Sequence, residues 1–381
     1  MKKILSVIVV VVVTLTQTAQ ITAFAQETDK PAVNAQACVL YCVDDGKVYF
    51  SVNENKKMKP ASTTKLMTSL ITLEYADSAD KVVAFTKDMT AEGSSMYLKV
   101  GEKVKLSDLA AGMMMASGND AANAAAISIA GSAEKFSELM NNRAAVIGMK
   151  NTHFVTPSGL DDENHYSTAY DMALLMSYAL ENESFAKLTS QKSVTVEFSE
   201  PQSKRTTYTN HNRLLSMYEY CTGGKTGYTM AAGRCLVSSA KKDGLTFVCV
   251  TLNDRNDWND HIALYNYGFS KLACVECDDS DYYLEIPCVG GDYESIGVTG
   301  TKGKNVVVPF DKKSNVVRTA YADNFLYAPV KDGDIVGRIE YTLDGKTLAS
   351  TNLTAVEYSN TQNKNKSIWT KIKDFFTYGK E

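Results

Sequence analysis

Apolar and polar positions alternate near the start of this chain and later recur at helical spacing. Residues 37–51 alternate around Asp44-Asp45-Gly46, which predicts a β-hairpin. A helix is predicted to begin near Ser62, because the apolar residues that follow recur every three or four positions. Three more helices are predicted at 106–116, 119–131 and 171–182. The second of these is rich in alanine, and Asn119 is predicted to cap it.

Strand patterns follow this helical block. Three segments have the composition of strands, and a Lys-Lys-Asp-Gly turn joins the last two, so we expect antiparallel pairing of 223–229, 233–240 and 245–252. A further helix is predicted at 257–272. Together with the N-terminal hairpin, these elements predict an α+β fold. Its antiparallel sheet of about five strands would have helices on both faces, with an all-helical block inserted between the strands.

The pattern changes again after residue 277. Short strand signals separated by turn residues predict a small all-β domain at 278–358, which leaves the preceding domain at 26–277. Residues 359–381 combine a polar linker with a segment whose apolar residues, among them Trp369 and Phe375, fall on one helical face. Lysines lie on the opposite side. This pattern predicts an amphipathic helix that anchors the protein at a membrane surface.

The first 25 residues have the three parts of a secretory signal peptide. Lys2 and Lys3 form a basic start, an apolar run extends from Ile4 to Leu15, and the segment ends in Ala-Phe-Ala. The apolar run is shorter than the ~20 residues needed to cross a bilayer, so we expect cleavage rather than a permanent anchor. The sequence therefore predicts an exported protein, for which the formal charge of −4 gives no indication of nucleic-acid binding.

Eight cysteines raise the question of disulfides or metal binding in an exported chain. Cys221, Cys235 and Cys249 fall within predicted strands and are expected to be buried small apolar residues. Cys274 and Cys277 form a single CxxC without a second pair or histidines at zinc-binding spacing. Neither a redox motif nor a metal site is predicted.

Ser62 and Lys65 form a Ser-x-x-Lys pair at the start of the first predicted helix. Serine is an ordinary N-cap residue, and the same spacing recurs elsewhere, as in Ser78 and Lys81, so spacing alone discriminates little. Two further motifs decide the interpretation. Ser117-Gly118-Asn119 lies in a predicted turn between helices, and Lys225-Thr226-Gly227 lies on a predicted strand. This is the order and setting of the active-site motifs of penicillin-binding proteins and serine β-lactamases.

The residues around the motifs sharpen the match. PASTTKLMT, SGNDAANA and GGKTGYTMAAGRCLV closely resemble the low-molecular-mass D-alanyl-D-alanine carboxypeptidases, the DacA-like serine peptidases of family S11. The resemblance extends through the β-rich segment and the terminal helix. It implies a β-lactamase/DD-peptidase-like fold and removal of the terminal D-alanine from peptidoglycan stem peptides through an acyl-enzyme on Ser62. It also implies binding of β-lactam antibiotics, no cofactor or metal, and a place on the outer face of the cytoplasmic membrane.

Chemistry explains why these residue types are needed. Lys65 lies one helical turn from Ser62 and can take its proton, provided that burial and a nearby positive charge, naturally Lys225, lower the lysine pKa from ~10.4. The resemblance implies that Ser117 relays a proton to the leaving amine and that Asn119 holds the substrate amide. The resemblance also implies that Lys225 and Thr226 bind the substrate carboxylate and that Gly227 lets the substrate backbone approach the strand closely. The backbone N–H groups of Ser62 and Tyr228 would stabilise the oxyanion.

Several residues and two alternatives stay open at this point. Three of the four histidines are considered for a Ser-His-Asp site and are expected to be structural, because no GxSxG elbow surrounds any serine; these three are His153, His165 and His211. Sequence does not choose which arginine assists the substrate carboxylate among Arg213, Arg234 and Arg255. A class A β-lactamase would need a Glu-x-x-Leu-Asn segment, which is absent from the sequence. A non-catalytic wall-binding protein of the same fold would be expected to lack Ser62, Lys65 or Lys225.

Overall fold

The structure is a computed structural model that describes residues 30–356. The predicted signal peptide and the predicted amphipathic helix lie outside these residues. Up to residue 275 the strands are β1 (Ala37–Cys42), β2 (Lys47–Val52), β3 (Val82–Ala84), β4 (Lys103–Lys105), β5 (Ser193–Glu197), β6 (Arg205–Thr209), β7 (Cys221–Thr229), β8 (Gly233–Lys242), β9 (Leu245–Leu252) and β10 (Leu272–Val275).

Eight α-helices lie in the same part of the described chain. They are α1 (Lys65–Ser78), α2 (Leu106–Met115), α3 (Asn119–Ala130), α4 (Ala133–Ile147), α5 (Ala169–Ala179), α6 (Glu183–Thr189), α7 (Leu214–Met217) and α8 (Asp257–Lys271). All four helices predicted after the first are present within a few residues of their expected ends. The sequence prediction missed α4 and α6, and it missed the hairpin of β5 and β6.

A five-stranded antiparallel sheet organises this region, in the order β2-β1-β9-β8-β7. Every residue of β1 is buried, because the sheet is covered on both faces. Val39 packs in the same cluster as Leu66 of α1, whereas Leu40 packs in the cluster of Tyr265 on α8. The predicted sheet with helices on both faces is confirmed. This strand order places β7 at the edge of the sheet, with one side free of strand partners among residues 30–356.

The predicted cap at Asn119 is wrong, and the ordinary capping role of serine does not apply to Ser62 either. Ser62 does not cap α1, because it lies inside a 3-10 turn, Ala61–Thr64, that precedes the helix. Asn119 does not cap α3, because Gly118 occupies that position and Asn119 is the first helical residue. In both cases a residue type that commonly caps helices has its side chain engaged with Lys65 instead.

The rest of the described chain is an all-β unit, as predicted. Its strands are β11 (Tyr283–Val289), β12 (Ser295–Gly300), β13 (Val306–Pro309), β14 (Val317–Ala322), β15 (Leu326–Tyr327), β16 (Ile335–Leu343) and β17 (Lys346–Val356). Six of them form a sheet in the order β14-β16-β17-β12-β11-β15 over a core that includes Ile339 and Leu353. The remaining strand, β13, pairs with β10 and so connects the two parts of the chain.

All eight cysteines lie within residues 30–356, and each is a free thiol there. Cys235 and Cys249 are buried strand residues as predicted, whereas Cys221 is only half-buried. No group of three or more potential ligands that could hold a metal ion occurs in the described part of the chain. The helices found between residues 30 and 356 are all too short or too polar to cross a membrane.

Candidate active site

Ser62 lies on a tight turn that contacts both a glycine loop and the edge strand. A side chain at Gly159 would place its Cβ 2.0 Å from the Ala61 carbonyl oxygen, so only glycine permits this contact. On the other side, a Cβ at Gly227 of β7 would lie 3.0 Å from the Ser62 nitrogen. Gly227 therefore allows the turn that carries Ser62 to approach β7 closely, a contact that could not be predicted from the sequence. The effect is to hold Ser62 against β7.

Lys65 is fully buried at the first position of α1. Its Nζ lies 3.0 Å from Ser62 Oγ, 2.6 Å from Asn119 Oδ1 and 2.7 Å from the Ser158 carbonyl oxygen. Asn119 donates its Nδ2 to the Glu92 carbonyl at 2.7 Å, which fixes the oxygen of the amide towards Lys65. Lys65 thus faces two obligate acceptors and one hydroxyl.

These contacts decide how a neutral Lys65 is oriented. A neutral amine has two N–H groups and one lone pair. The Asn119 and Ser158 oxygens can only accept, so they take the two N–H groups, and the lone pair is left for the hydroxyl hydrogen of Ser62. This is the arrangement that a general base requires.

The two active-site lysines have lowered pKa values. Burial lowers the pKa of Lys65 well below its ordinary value, the charge of Lys225 lowers it further, and Asp120 opposes the shift. Burial alone lowers the pKa of Lys225 to about 7. Lys225 is only 1% exposed, and its Nζ donates to the Thr226 carbonyl at 2.8 Å. The structure thus provides both effects that the sequence analysis required for a neutral Lys65.

Ser117 lies on a strained turn between α2 and α3. Its φ of 56° is in the left-handed region, which costs a non-glycine residue on the order of 1–3 kcal/mol. The turn is held by the Asn119 backbone N–H, which donates to the Ser94 carbonyl at 2.8 Å. This conformation directs Ser117 to the same cleft as Ser62.

The cleft has a volume of about 460 Å³, and its lining includes residues from all three motifs, among them Ser62, Ser117, Thr226 and Gly227. A second cavity, of about 490 Å³, lies between α1, α2 and α6. Two of its serines, Ser107 and Ser184, donate to the exposed carboxylates of Asp80 and Asp77, and neither contacts a buried lysine as Ser62 does. We therefore place the chemistry in the cleft beside Ser62.

Arg234 is the one of the three candidate arginines that lines this cleft. Its Nη2 and Nε donate to the two carboxylate oxygens of buried Asp257, at 2.6 and 3.1 Å, and its guanidinium lies 5.8 Å from the centre of the Trp258 ring. The side chain is still 44% exposed, so Arg234 remains accessible from the cleft that it lines. Arg213 lies in a separate pocket, and Arg255 is exposed outside the cleft.

The histidines form no Ser-His-Asp arrangement with Ser62. Buried His165 accepts the backbone N–H groups of Val155 and Thr156 at Nδ1, so its proton is on Nε2 and is donated to Thr64 Oγ1 at 2.9 Å. Burial lowers its pKa to about 4. His153 contacts the Asn164 carbonyl, and His211 lies at the cleft wall.

Comparisons with known proteins agree with this geometry. The sequence model of the D-alanyl-D-alanine carboxypeptidase family, Peptidase S11, matches residues 24–256. The chain belongs to this family. A second model, for the C-terminal domain of penicillin-binding protein 5, matches residues 279–359. The chain is therefore a serine-type D-Ala-D-Ala carboxypeptidase of the penicillin-binding class, as the motifs predicted.

Curated relatives of the carboxypeptidase match along most of its length. D-alanyl-D-alanine carboxypeptidase DacF of Bacillus subtilis is 32% identical over 372 residues, 94% of either chain. DacC of Escherichia coli is 34% identical over 362 residues, 88% of this chain and 87% of the relative. The crystal structure of penicillin-binding protein 5 from Haemophilus influenzae superposes with a TM-score of 0.64 at 29% identity, covering 86% of this chain and 98% of that one.

These matches confirm the predicted family, fold and activity of the carboxypeptidase. They favour neither a class A β-lactamase nor a non-catalytic wall-binding protein. The predicted divisions at residues 25, 277 and 358, and the roles of individual residues, stay predictions. Sequence reasoning missed Glu92, Ser158 and the Asp257 partner of Arg234. The first two act through backbone carbonyls, for which side-chain identity carries no signal.

Proposed function

We propose that Ser62 attacks the carbonyl carbon between the last two D-alanines of a peptidoglycan stem peptide. Lys65 takes the hydroxyl proton as the Ser62 Oγ–carbon bond forms, and the peptide C–N bond breaks when the leaving D-alanine amine receives a proton. Water then hydrolyses the ester, which releases the shortened peptide. The observation that carries the proposal is the contact set of Lys65, since two carbonyl acceptors leave its lone pair for Ser62.

Ser117 and Asn119 support this chemistry in different ways. We assign the proton relay to Ser117, which lies in the cleft with its own hydroxyl. Asn119 orients Lys65, because both ends of its amide are engaged by Lys65 and the Glu92 carbonyl. To hold the substrate amide as well, Asn119 Nδ2 would have to exchange the Glu92 carbonyl for the substrate.

The edge of β7 is proposed to bind the substrate. The backbone N–H groups of Tyr228 and Ser62 would donate to the developing oxyanion. This arrangement is favoured because Gly227 lets the turn that carries Ser62 lie against β7. Lys225 and Thr226 would face the terminal carboxylate. Arg234 is proposed to join them, since Asp257 fixes its position while the side chain stays 44% exposed in the lining of the cleft.

Labelling with penicillin tests the assignment of the nucleophile. After proteolysis, mass spectrometry should find the acyl group on the peptide that contains Ser62. A label on Ser117 would contradict the proposed roles. β-Lactams are expected to acylate the same serine because their amide occupies the position of the scissile D-Ala-D-Ala bond.

Changing Arg234 to glutamine should weaken recognition of the terminal carboxylate. We expect kcat/KM for a peptide ending in D-Ala-D-Ala to fall about tenfold to a hundredfold, the cost of one charge-assisted hydrogen bond. With a peptide ending in D-alaninamide, which lacks the carboxylate, the Arg234→Gln variant should be almost as active as the unmodified protein. The matched control is Arg213→Gln, outside the cleft. Equal losses on both peptides would argue against carboxylate binding by Arg234.

We also propose that the carboxypeptidase acts in the bacterial cell envelope, exported by residues 1–25 and held at the membrane surface by the amphipathic segment predicted in 359–381. Both segments lie outside the described residues. The support is the pattern of basic, apolar and polar positions in each segment.

A chain ending at Tyr358 should leave the membrane fraction without losing activity on soluble peptides. The reason is that Trp369, Phe375 and Phe376 supply the apolar face that would enter the lipid interface. Sedimentation with vesicles, with the full chain as control, measures the effect. Membrane association that survives the truncation would contradict an anchor in this segment.

A further inference from the structure

Thr189, the last residue of α6, contacts the strand that carries Lys225. The residue is fully buried, and its Oγ1 accepts the backbone N–H of Gly224 at 2.8 Å. Gly224 directly precedes Lys225 on β7. This hydrogen bond is made on the outer side of the edge strand, where no strand of the described part of the chain pairs with β7.

The start of β7 is irregular at this point. The register of β7 against β8 shifts between Cys221 and Gly223, so the regular pattern of hydrogen bonds between these two strands is interrupted there. Gly223 and Gly224 have φ values of 156° and 147°. A Cβ on Gly223 would lie 2.4 Å from Thr189 Cγ2, and one on Gly224 would lie 2.4 Å from the Val237 carbonyl oxygen. The two glycines thus let β7 fit between Thr189 and β8.

We propose that Thr189 is a positioning residue for Lys225: its hydroxyl fixes the irregular start of β7 and so sets the place of the Lys225 amine relative to Lys65. The inference rests on the role proposed above for Lys225. Lys225 Nζ has one hydrogen-bond partner among residues 30–356, the Thr226 carbonyl of the same strand. Its position therefore depends on the strand backbone more than on side chains from elsewhere.

Position matters because the two lysines interact as like charges. The charge of Lys225 is the second cause, after burial, of the lowered pKa of Lys65. If the start of β7 moves, Lys225 moves away from Lys65 or away from the substrate. A displacement of about 1 Å near a reacting group can cost up to about a hundredfold in rate.

The test compares Thr189→Val, which keeps the shape and removes the hydroxyl, with Thr189→Ser, which keeps the hydroxyl. We expect Thr189→Val to acylate with penicillin about tenfold more slowly, and Thr189→Ser to stay within about twofold of the unmodified protein. The acid limb of the Thr189→Val rate profile should shift to higher pH, because Lys65 would lose part of the repulsion that keeps it neutral. The control is Thr72→Val, which removes an equally buried hydroxyl bonded within α1.

The outcomes separate a positioning role from a structural one. If Thr189→Val melts earlier but keeps the unmodified rate and pH profile, the proposal is wrong and the hydrogen bond only stabilises the fold. If Thr189→Ser is as slow as Thr189→Val, the hydroxyl is not the operative group and the proposal is equally overturned. An unimpaired Lys225→Ala variant would instead disprove the role of Lys225 on which the proposal rests.

Discussion

Replacing Ser62 by alanine should abolish both covalent labelling by penicillin and release of D-alanine. The variant keeps the cleft, Lys65 and β7, but it has no oxygen that can form the acyl-enzyme. Removing the nucleophile of a hydrolase that works through a covalent intermediate lowers kcat by on the order of 10⁴-fold or more. Release of D-alanine from a pentapeptide, measured over hours, gives an upper limit for the residual activity of the variant. A fluorescent penicillin reports whether the covalent acyl-enzyme forms.

The fold should tolerate this change. Ser62 is half-buried, and its hydroxyl contacts the Lys65 amine. Thermal unfolding should therefore stay close to that of the unmodified protein. Ser117→Ala is the matched control, since it removes a hydroxyl from the same cleft and should slow turnover without moving the label from Ser62. D-Alanine release at the unmodified rate by Ser62→Ala would end the nucleophile assignment.

The three motifs could be found in the sequence because each depends on side-chain identity. The three motifs that contain Ser62, Ser117 and Lys225 rarely occur together in this order. The structure places residues of all three around one cleft. The orientation of Lys65 could not be predicted in the same way. It depends on the carbonyls of Glu92 and Ser158, and every residue type carries such a group.

The same distinction applies to the fold. The central strands and α1, α2, α3, α5 and α8 were predicted because long apolar patterns set them. By contrast, α4 has a largely polar sequence with few buried residues, among them Phe136 and Met140, and β5 and β6 are short strands outside the main sheet. Such elements form where tertiary contacts allow them, so their sequence signal is weak.

Capping rules failed for a related reason. Asn119 has the side chain of a good N-cap, but the local rule treats it as serving its own helix. In the folded protein its amide bridges Lys65 and the Glu92 carbonyl, and the backbone start of α3 moves to Gly118. Ser62 shows the same effect. Where tertiary contacts such as those with Lys65 engage a side chain, local helix chemistry alone gives the wrong position for it.

Replacing Lys65 by alanine should leave a folded protein that acylates about 10³-fold more slowly, because general-base catalysis contributes about 10²–10⁴-fold. Stopped-flow measurement of penicillin acylation gives the rate. Lys81→Ala is the control, since Ser78 and Lys81 have the same spacing and Lys81 is exposed. A rate for Lys65→Ala within about threefold of the control would mean that another group takes the proton from Ser62.

The pH dependence of acylation gives a second, independent measure of the same role. Burial and Lys225 lower the pKa of Lys65 in the folded protein, so Lys65 is neutral above that lowered value and protonated below it. The acylation rate should therefore be sustained above this lowered pKa and fall as the pH drops through it. In Lys65→Ala this acid limb should disappear, leaving a slow and flatter profile. An acid limb retained unchanged in the variant would assign the titration to another group, with Lys225, whose pKa is about 7, the next to examine.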